Sequence, residues 1–342
     1  MCILIVKDSN KVISSDILVA SAHINQHGLG VLWLDNWNVT YHESNDYMIL
    51  DTDRPYIAHF RFATIGKISR ENCHPFNIND DEILFQNGTV HNLGDREKTD
   101  TEHMAELLKD IPKHRWCEVL EMTECRFVTA NLKERTYELY NECDWIEHDG
   151  ISYSKDNVLD KTLVAVYGTL KKGYSNYHHH LSTAKYVGPG ETLDKYPLII
   201  DGLPYLLNKQ GVGNHVEVDL FLVDNHTFEM LDQLEGHPTW YYRERIDIDT
   251  KDGTVVSALV YFNDTVDDTG VHHKAYTQQV SGHSYYDDEV VFHDSCSCIE
   301  PIVTRDTYLD ELYCDACYLT VHTHQDEINP NDLDVTYESI KI

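Results

Sequence analysis

The stretch Val166–Asn176, "VYGTLKKGYSN", decides how the middle of the chain is read. It is preceded by the apolar run of "TLVAVYGTL", so a short buried strand ends where Gly168 and Thr169 begin. A strand that stops at Gly-Thr turns its next backbone N–H groups outward, away from any ladder. Such a row of N–H groups suits an anion. Taken alone, "YGTL" is also no more than a strand-to-loop turn, so its neighbours must carry the reading.

Outward from this loop, residues 162–264 alternate strand-like and turn-like segments. "AKYVGPGETL", "YPLIIDG", "PYLLN", "VEVDLFLV", "YRERIDID" and "VVSALVYF" read as strands, and "TFEMLDQLEG" reads as a helix. The expected unit is a small, mostly antiparallel α+β domain. Three stretches in order, "YGTLKKGYSN", "YPLII" (Tyr196–Ile200) and "LDQLEGHPTWYYRERI" (Leu231–Ile246), resemble the γ-glutamylcyclotransferase superfamily, and within it the γ-glutamylamine cyclotransferases. The resemblance implies a small mixed β-barrel-like fold whose substrates are γ-glutamyl amines. The substrate α-amine would attack its own γ-carbonyl, closing 5-oxoproline and releasing the amine. Intramolecular attack needs orientation and proton transfer, and one carboxylate can serve as base and then acid. Glu235 matches the catalytic glutamate of that family, and burial would raise its pKa toward neutrality. The N–H groups of Gly168, Thr169 and Leu170 would bind the α-carboxylate, and Tyr167 would line the pocket. Tyr242 and Arg243 match the end of the pattern and are expected to be partly structural.

Residues 2–158 form an earlier block. "CILIVKD", "ILVASAHIN", "GVLWLD", "YMILD" and "YIAHFRFAT" read as strands. "DTEHMAELLKDI" has the spacing of one helix face, with Thr99 or Asp100 as cap. "CRFVTANL" and "RTYELY" resume the strands, and the polar "HDGISYSKDNVLD" marks a boundary near 158. Cys2 would carry a free α-amine once Met1 is removed, and a thiol beside its own amine has a built-in base. "AHFRFATIG", "CHPF", "FQNGTVHN" and "KTDTE", with "NQHGLGVLW", occur in order and resemble the class II glutamine amidotransferases. That resemblance implies the αββα sandwich of the N-terminal-nucleophile hydrolases. It assigns Cys2 the attack on the glutamine amide, giving a γ-glutamyl thioester, with Asn87 and Gly88 as the oxyanion hole. It assigns Arg61 and Asp100 to the substrate α-carboxylate and α-amine, with Thr64 beside them. His27 departs from the pattern, which has an acidic residue before this glycine.

The chain's 342 residues include nine cysteines, and four of them cluster at the end. "CSCIEPIVTRDTYLDELYCDAC" sets Cys296 and Cys298 fifteen residues before Cys314 and Cys317, with a hairpin-like stretch between. Two close thiolate pairs suit a tetrahedral structural Zn²⁺, within an acidic tail at 275–342. Idle or reactive thiols remain the alternative. "YHHHL", Tyr177–Leu181, is read as polar surface, since three consecutive histidines cannot share one helix face.

The formal net charge is −31, from 58 acidic against 27 basic residues, which disfavours nucleic acid held by general electrostatics. No run approaches 18 apolar residues and the start lacks a signal-peptide pattern, so no membrane partner and a cytoplasmic location are expected. The expected architecture is therefore α+β and multidomain: sandwich, barrel, then a short zinc ribbon. The expected function is bifunctional handling of γ-glutamyl groups, with glutamine and γ-glutamyl amines as small-molecule substrates and no organic cofactor. With no ATP-binding loop in view, a ligase or synthase partner protein is expected. A non-catalytic γ-glutamyl-binding or scaffold subunit, with only the first domain active, is the alternative.

Overall fold

The computed structural model describes residues 2–277, except 65–66, 92 and 95–97, and beyond them only the backbone of four short strands. Residues 1–277 form one compact unit and 278–342 another. Within the first unit the strands are β1 (Ile3–Lys7), β2 (Leu29–Trp33), β3 (Asn38–His42), β4 (Tyr56–Phe60), β5 (Phe76–Asn77), β6 (Glu82–Asn87), β7 (Arg126–Asn131), β8 (Thr136–Tyr140), β9 (Ile146–His148) and β10 (Ile151–Tyr153), followed by the five strands of a barrel and a hairpin. The helices are α1 (Ser15–Ile24), α2 (Asp100–Lys109), α3 (Trp116–Leu120), α4 (Tyr177–His180) and α5 (Asn225–Glu235).

Two antiparallel sheets occupy the first half, in the orders β3-β2-β4-β1-β10-β9 and β5-β6-β7-β8. Period-two alternation assigns their faces. Leu4, Val6, Leu32 and Ile57 of one sheet pack with Ile83, Phe85, Val128 and Ala130 of the other. The opposite face of the second sheet carries Leu84 and Phe127 against Met104 and Leu108 of α2 and Trp116 and Leu120 of α3. The opposite face of the first sheet carries Ile3, Ile5, Val31 and Ala58 against α1. The layers thus run helix, sheet, sheet, helix. Between the sheets the rings of His59 and His74 stack at 3.8 Å, both fully desolvated and held neutral by burial.

Three sequence expectations are corrected here. "ILVASAHIN" is not a strand but most of α1, capped by Ser14 and buried from Asp16 to Ala22. A helix buried on nearly every side has no polar face, so its apolar run mimics an interior strand. "YMILD" belongs to a 3₁₀ turn, Ser44–Leu50, started by a capping box between Glu43 and Asp46. The polar "HDGISYSKDNVLD" contains the β9–β10 hairpin, and β10 pairs with β1 at the first sheet's edge. Ile151, Tyr153 and Val158 are buried in the core shared with the next block.

That block is a closed barrel of β11 (Lys161–Val166), β12 (Lys185–Thr192), β15 (Glu217–Asp224), β16 (Tyr242–Thr250) and β17 (Val255–Phe262) in the order β11-β15-β12-β16-β17. A hairpin of β13 (Leu198–Asp201) and β14 (Leu203–Leu206) stands beside it. The protein is thus mixed α+β with a small closed barrel. Leu163, Ala165, Leu220 and Leu222 share a core with Val256, Ala258 and Val260. The alternate positions Val164, Val166, Phe221 and Val223 pack with Leu231 of α5. The seam between β11 and β17 is a single parallel residue pair, Val164 with Leu259. Asp16 of α1 fills this seam. Its carboxylate accepts from the Leu163 N–H (3.2 Å) and from both terminal nitrogens of Arg245 on β16, one of them at 3.2 Å.

In the second unit, β18 (Val290–Val291), β19 (Val303–Asp306), β20 (Glu311–Cys314) and β21 (Thr320–Thr323) form an antiparallel sheet in the order β18-β21-β20-β19. The β19–β20 hairpin falls within the stretch between the cysteine pairs. The positions expected from the sequence to bind zinc, Cys296, Cys298 and Cys317, and the side chain of Cys314, lie outside the described residues. Among the described residues no helix is long and apolar enough to cross a membrane.

Asp16→Ala leaves the Leu163 N–H without its acceptor and the Arg245 guanidinium with only the Ser257 carbonyl. It should lower unfolding stability by about 1–3 kcal/mol in urea titrations. Asp16→Asn keeps a neutral acceptor and should lose less.

Candidate active site

β11 ends at Val166, and the chain then turns into the mouth of the barrel. Tyr167 is buried, and its hydroxyl donates to the Tyr261 carbonyl (2.8 Å) while accepting from the Leu206 N–H (3.3 Å). The residue therefore pins β11 to β17 and β14, and only its ring contributes to the pocket. Gly168 runs so close to β14 that a Cβ would lie 2.6 Å from Pro204 Cγ. The loop closes on itself: the Lys171 N–H donates to the Gly168 carbonyl, and Asn176 donates from its backbone to the Thr169 carbonyl and from its side chain to the Thr169 hydroxyl, all at 3.0 Å. The N–H groups of Gly168, Thr169 and Leu170 take no part in these bonds, and the three residues line the pocket. The two lysines turn elsewhere, Lys171 over the Tyr174 ring and Lys172 over the Tyr186 ring.

Glu235 is the last residue of α5. Asp224 caps the start of this helix, accepting from the Thr227 N–H at 2.8 Å, and Leu231 anchors it in the core. Gly236 ends it at φ 62°, a left-handed conformation that glycine adopts without cost, and the His237 N–H returns to the Asp232 carbonyl. The chain doubles back so that the Tyr241 N–H donates to the Glu235 carbonyl at 3.1 Å. Arg243 holds Asp232 with two 2.7 Å contacts and lies over the Phe228 ring, while the Tyr261 hydroxyl donates to the same Asp232. Arg243 thus fastens α5 to the barrel, and Tyr242 donates to Asp264 outside the pocket.

The resulting pocket has a volume of ≈ 190 Å³. Gly168, Thr169, Asn176, Glu235, Pro204 and Trp240 are among the residues that line it. Burial pushes the Glu235 carboxyl up to about 7. Its place at a helix C-terminus, where the backbone dipole is negative, acts in the same direction. A carboxyl near neutrality can both accept and return a proton at physiological pH. Trp240, Leu203 and Pro204 were not anticipated from the sequence as pocket residues. Trp240 lies within the stretch "EGHPTWYY", but nothing in its spacing shows which way the loop folds.

The residues assigned by resemblance in the first half gather where β1, β4 and β6 end. Cys2 sits in line with Arg61 across the β1–β4 pairing, and its Sγ accepts from the Phe62 N–H at 3.2 Å. Burial raises the Cys2 thiol pKa, partly opposed by that hydrogen bond and by Arg61. Arg61 is buried and donates to the Lys67 carbonyl. The Thr64 hydroxyl is 3.4 Å from that of Thr89, beside Gly88. Asn87 donates to Ser154 Oγ (2.6 Å), which also accepts from the Leu4 N–H. Asp100 accepts from the Gln86 side chain and the Val90 N–H, and burial raises its pKa. His27 supports the same loop as a neutral ring, accepting from the Ala63 N–H at 2.8 Å.

Residues 164–284 match the family described as γ-glutamyl cyclotransferase, AIG2-like. γ-Glutamylaminecyclotransferase A of Danio rerio is 39% identical over 113 residues, 30% of this chain and 70% of that protein. The γ-glutamylaminecyclotransferase of Homo sapiens is 40% identical over 89 residues, 24% of this chain and 58% of that protein. A crystal structure of an AIG2-like protein from Mus musculus is 29% identical and covers 34% of this chain and 88% of that one, with a TM-score of 0.33. The chain belongs, through this part, to the AIG2-like γ-glutamyl cyclotransferase family.

The raised pKa of Glu235 has a thermodynamic sign. Its folded value lies above its ordinary value of 4.5, so the folded state holds the proton more tightly and stability falls as pH rises from 4.5 through about 7. Glu235→Gln removes that loss. Its stability advantage over wild type should grow by roughly 1–3 kcal/mol between pH 5 and pH 8 in urea titrations.

Proposed function

We propose that the barrel is a cyclotransferase for γ-glutamyl amides. The observation that carries this reading is Glu235, its carboxyl raised to about 7, in one pocket with the free N–H groups of Gly168, Thr169 and Leu170. The names of the relatives point the same way. The N–H groups hold the α-carboxylate of the glutamyl group. Glu235, ionised, takes a proton from the α-ammonium. The freed amine attacks the γ-carbonyl carbon, forming the ring C–N bond. The bond from that carbon to the leaving nitrogen breaks as Glu235 returns its proton to the departing amine, and Glu235 then takes the second proton of the ring nitrogen and passes it to the amine, which leaves as its ammonium. The products are 5-oxoproline and a free amine, and no further reactant is consumed.

We infer that the first half is a Cys2-dependent glutaminase or glutamyl transferase, working through a γ-glutamyl thioester. The helix–sheet–sheet–helix layering and the gathering of Cys2, Arg61, Thr64, Asn87, Gly88 and Asp100 at one end of the strands support this. The buried thiol is not a standing thiolate, so a free α-amine on Cys2 is its base. Ammonia or a glutamyl group made there passes to a separate ligase or synthase. The four C-terminal cysteines, Cys296, Cys298, Cys314 and Cys317, are assigned a structural Zn²⁺ that holds the tail together.

Wild-type protein should release 5-oxoproline from γ-glutamyl amides, and Glu235→Gln should lower the rate on the order of 10²–10⁴-fold. Release unchanged by that substitution would take the chemistry away from Glu235, and no release at all would leave the pocket a binding site. Cys2→Ala should abolish glutamine hydrolysis while 5-oxoproline release continues, both read on one preparation whose mass shows Met1 removed. Metal analysis should find about one zinc per chain, lost on Cys314→Ser with Cys317→Ser.

A further inference from the structure

Two donors stand side by side at the end of β6, and they are held in different ways. Gly88 offers a backbone N–H. Its position is set by packing: at φ 125° a Cβ there would lie 2.6 Å from Cys125 Sγ. Asn87 offers a side-chain amide, and the terminal torsion of an asparagine is broad, with no sharp preferred angle. Asn87 is buried, but burial alone does not aim an amide. A hydrogen bond does.

Ser154 supplies that bond. Its Oγ accepts from Asn87 Nδ2 at 2.6 Å, and among the described residues it is the one hydrogen-bond partner of the Asn87 side chain. An amide nitrogen carries two N–H groups. With one bound to Ser154, the second has no acceptor among the described residues, and neither has the Gly88 N–H.

Ser154 is itself held by the strand that leads from Cys2. It follows β10 directly and is fully buried. Its N–H donates to the Leu4 carbonyl at 3.0 Å. Its Oγ accepts from the Leu4 N–H at 2.8 Å, where an antiparallel ladder would use a carbonyl. The pairing of Ile5 with Tyr153 sets Ser154 opposite Leu4, and Cys2, two residues earlier, falls on the same side of the strand as Leu4. Both acceptor positions of one hydroxyl are thus occupied, one by β1 and one by β6.

We propose that Ser154 is a positioning residue for the Cys2 site. It fixes the Asn87 amide to the strand of the nucleophile, so that the second N–H is held for the oxygen of the attacked carbonyl. The proposal rests on the reading of the first half as a Cys2-dependent glutaminase.

The test is steady-state glutamine hydrolysis by the full chain, on protein whose mass shows Met1 removed. Ser154→Ala should lower kcat on the order of tenfold or more with KM changed by less than about twofold, since an oxyanion donor acts in the transition state and not on the bound substrate. Asn87→Ala should lower kcat by about 10²–10³-fold. Adding Ser154→Ala to it should cost little more, because Ser154 acts through that amide. Ser154→Cys fills the same space with a sulfur that accepts only weakly, and it replaces Ser154→Ala in both comparisons if thermal melts show the alanine variant unfolded. Three results overturn the proposal while leaving the glutaminase standing: an unchanged kcat, a loss confined to KM, or losses that multiply in the double variant. Glutamine left intact by wild type overturns the Cys2 reading, and this proposal with it.

Discussion

The Asp16 carboxylate is the contact on which the barrel half depends. A closed sheet needs every strand bonded on both edges, yet β11 meets β17 through one residue pair. The Leu163 N–H beside that pair finds its acceptor on Asp16, which also binds Arg245 from β16. The seam is therefore completed by a side chain of α1, an element of the first half. Since β11 runs directly into Tyr167 and Gly168, anything that shifts the seam shifts the pocket loop. The shared core explains why the two halves form one compact unit.

From that seam the support passes through groups whose polar atoms are already committed. Tyr167 spends its hydroxyl on β17 and β14, and Gly168 lies against Pro204. Asp232, Arg243 and Tyr261 fix α5, so Glu235 sits on a braced helix end. Fixed elements of this kind hold a reacting group to a narrow geometry, which an intramolecular cyclisation needs.

Local features of the sequence made much of this legible. "VYGTL" reads as a strand with a loop of N–H groups, and Glu235 follows a helix face that Leu231 buries. What failed was whatever depends on surroundings. α1 carries apolar residues on all sides because the first sheet and the barrel enclose it, and such a run looks like a strand. The β9–β10 hairpin is polar because it forms a sheet edge. Asp16 and Arg245 lie 229 residues apart, and no local pattern joins them. Trp240 was visible as a residue, but its place at the pocket followed only from the turn after Gly236.

Among the described residues no basic side chain lines the pocket, and this bears on the chemistry. An arginine would hold a substrate carboxylate firmly, as the resemblance assigns Arg61 in the first half. Placed near Glu235 it would also stabilise the ionised carboxyl and lower its pKa, opposing the effect of burial. Backbone N–H groups avoid this conflict. They are neutral, and their dipoles act mainly on an anion in direct contact, so they can hold the α-carboxylate at less cost to the basicity of Glu235. Lys171 and Lys172, the two cations the loop does carry, lie over Tyr174 and Tyr186 and are not among the lining residues. Burial is then the dominant influence on Glu235, and it leaves the carboxyl near neutrality, where one group can serve as base and then as acid.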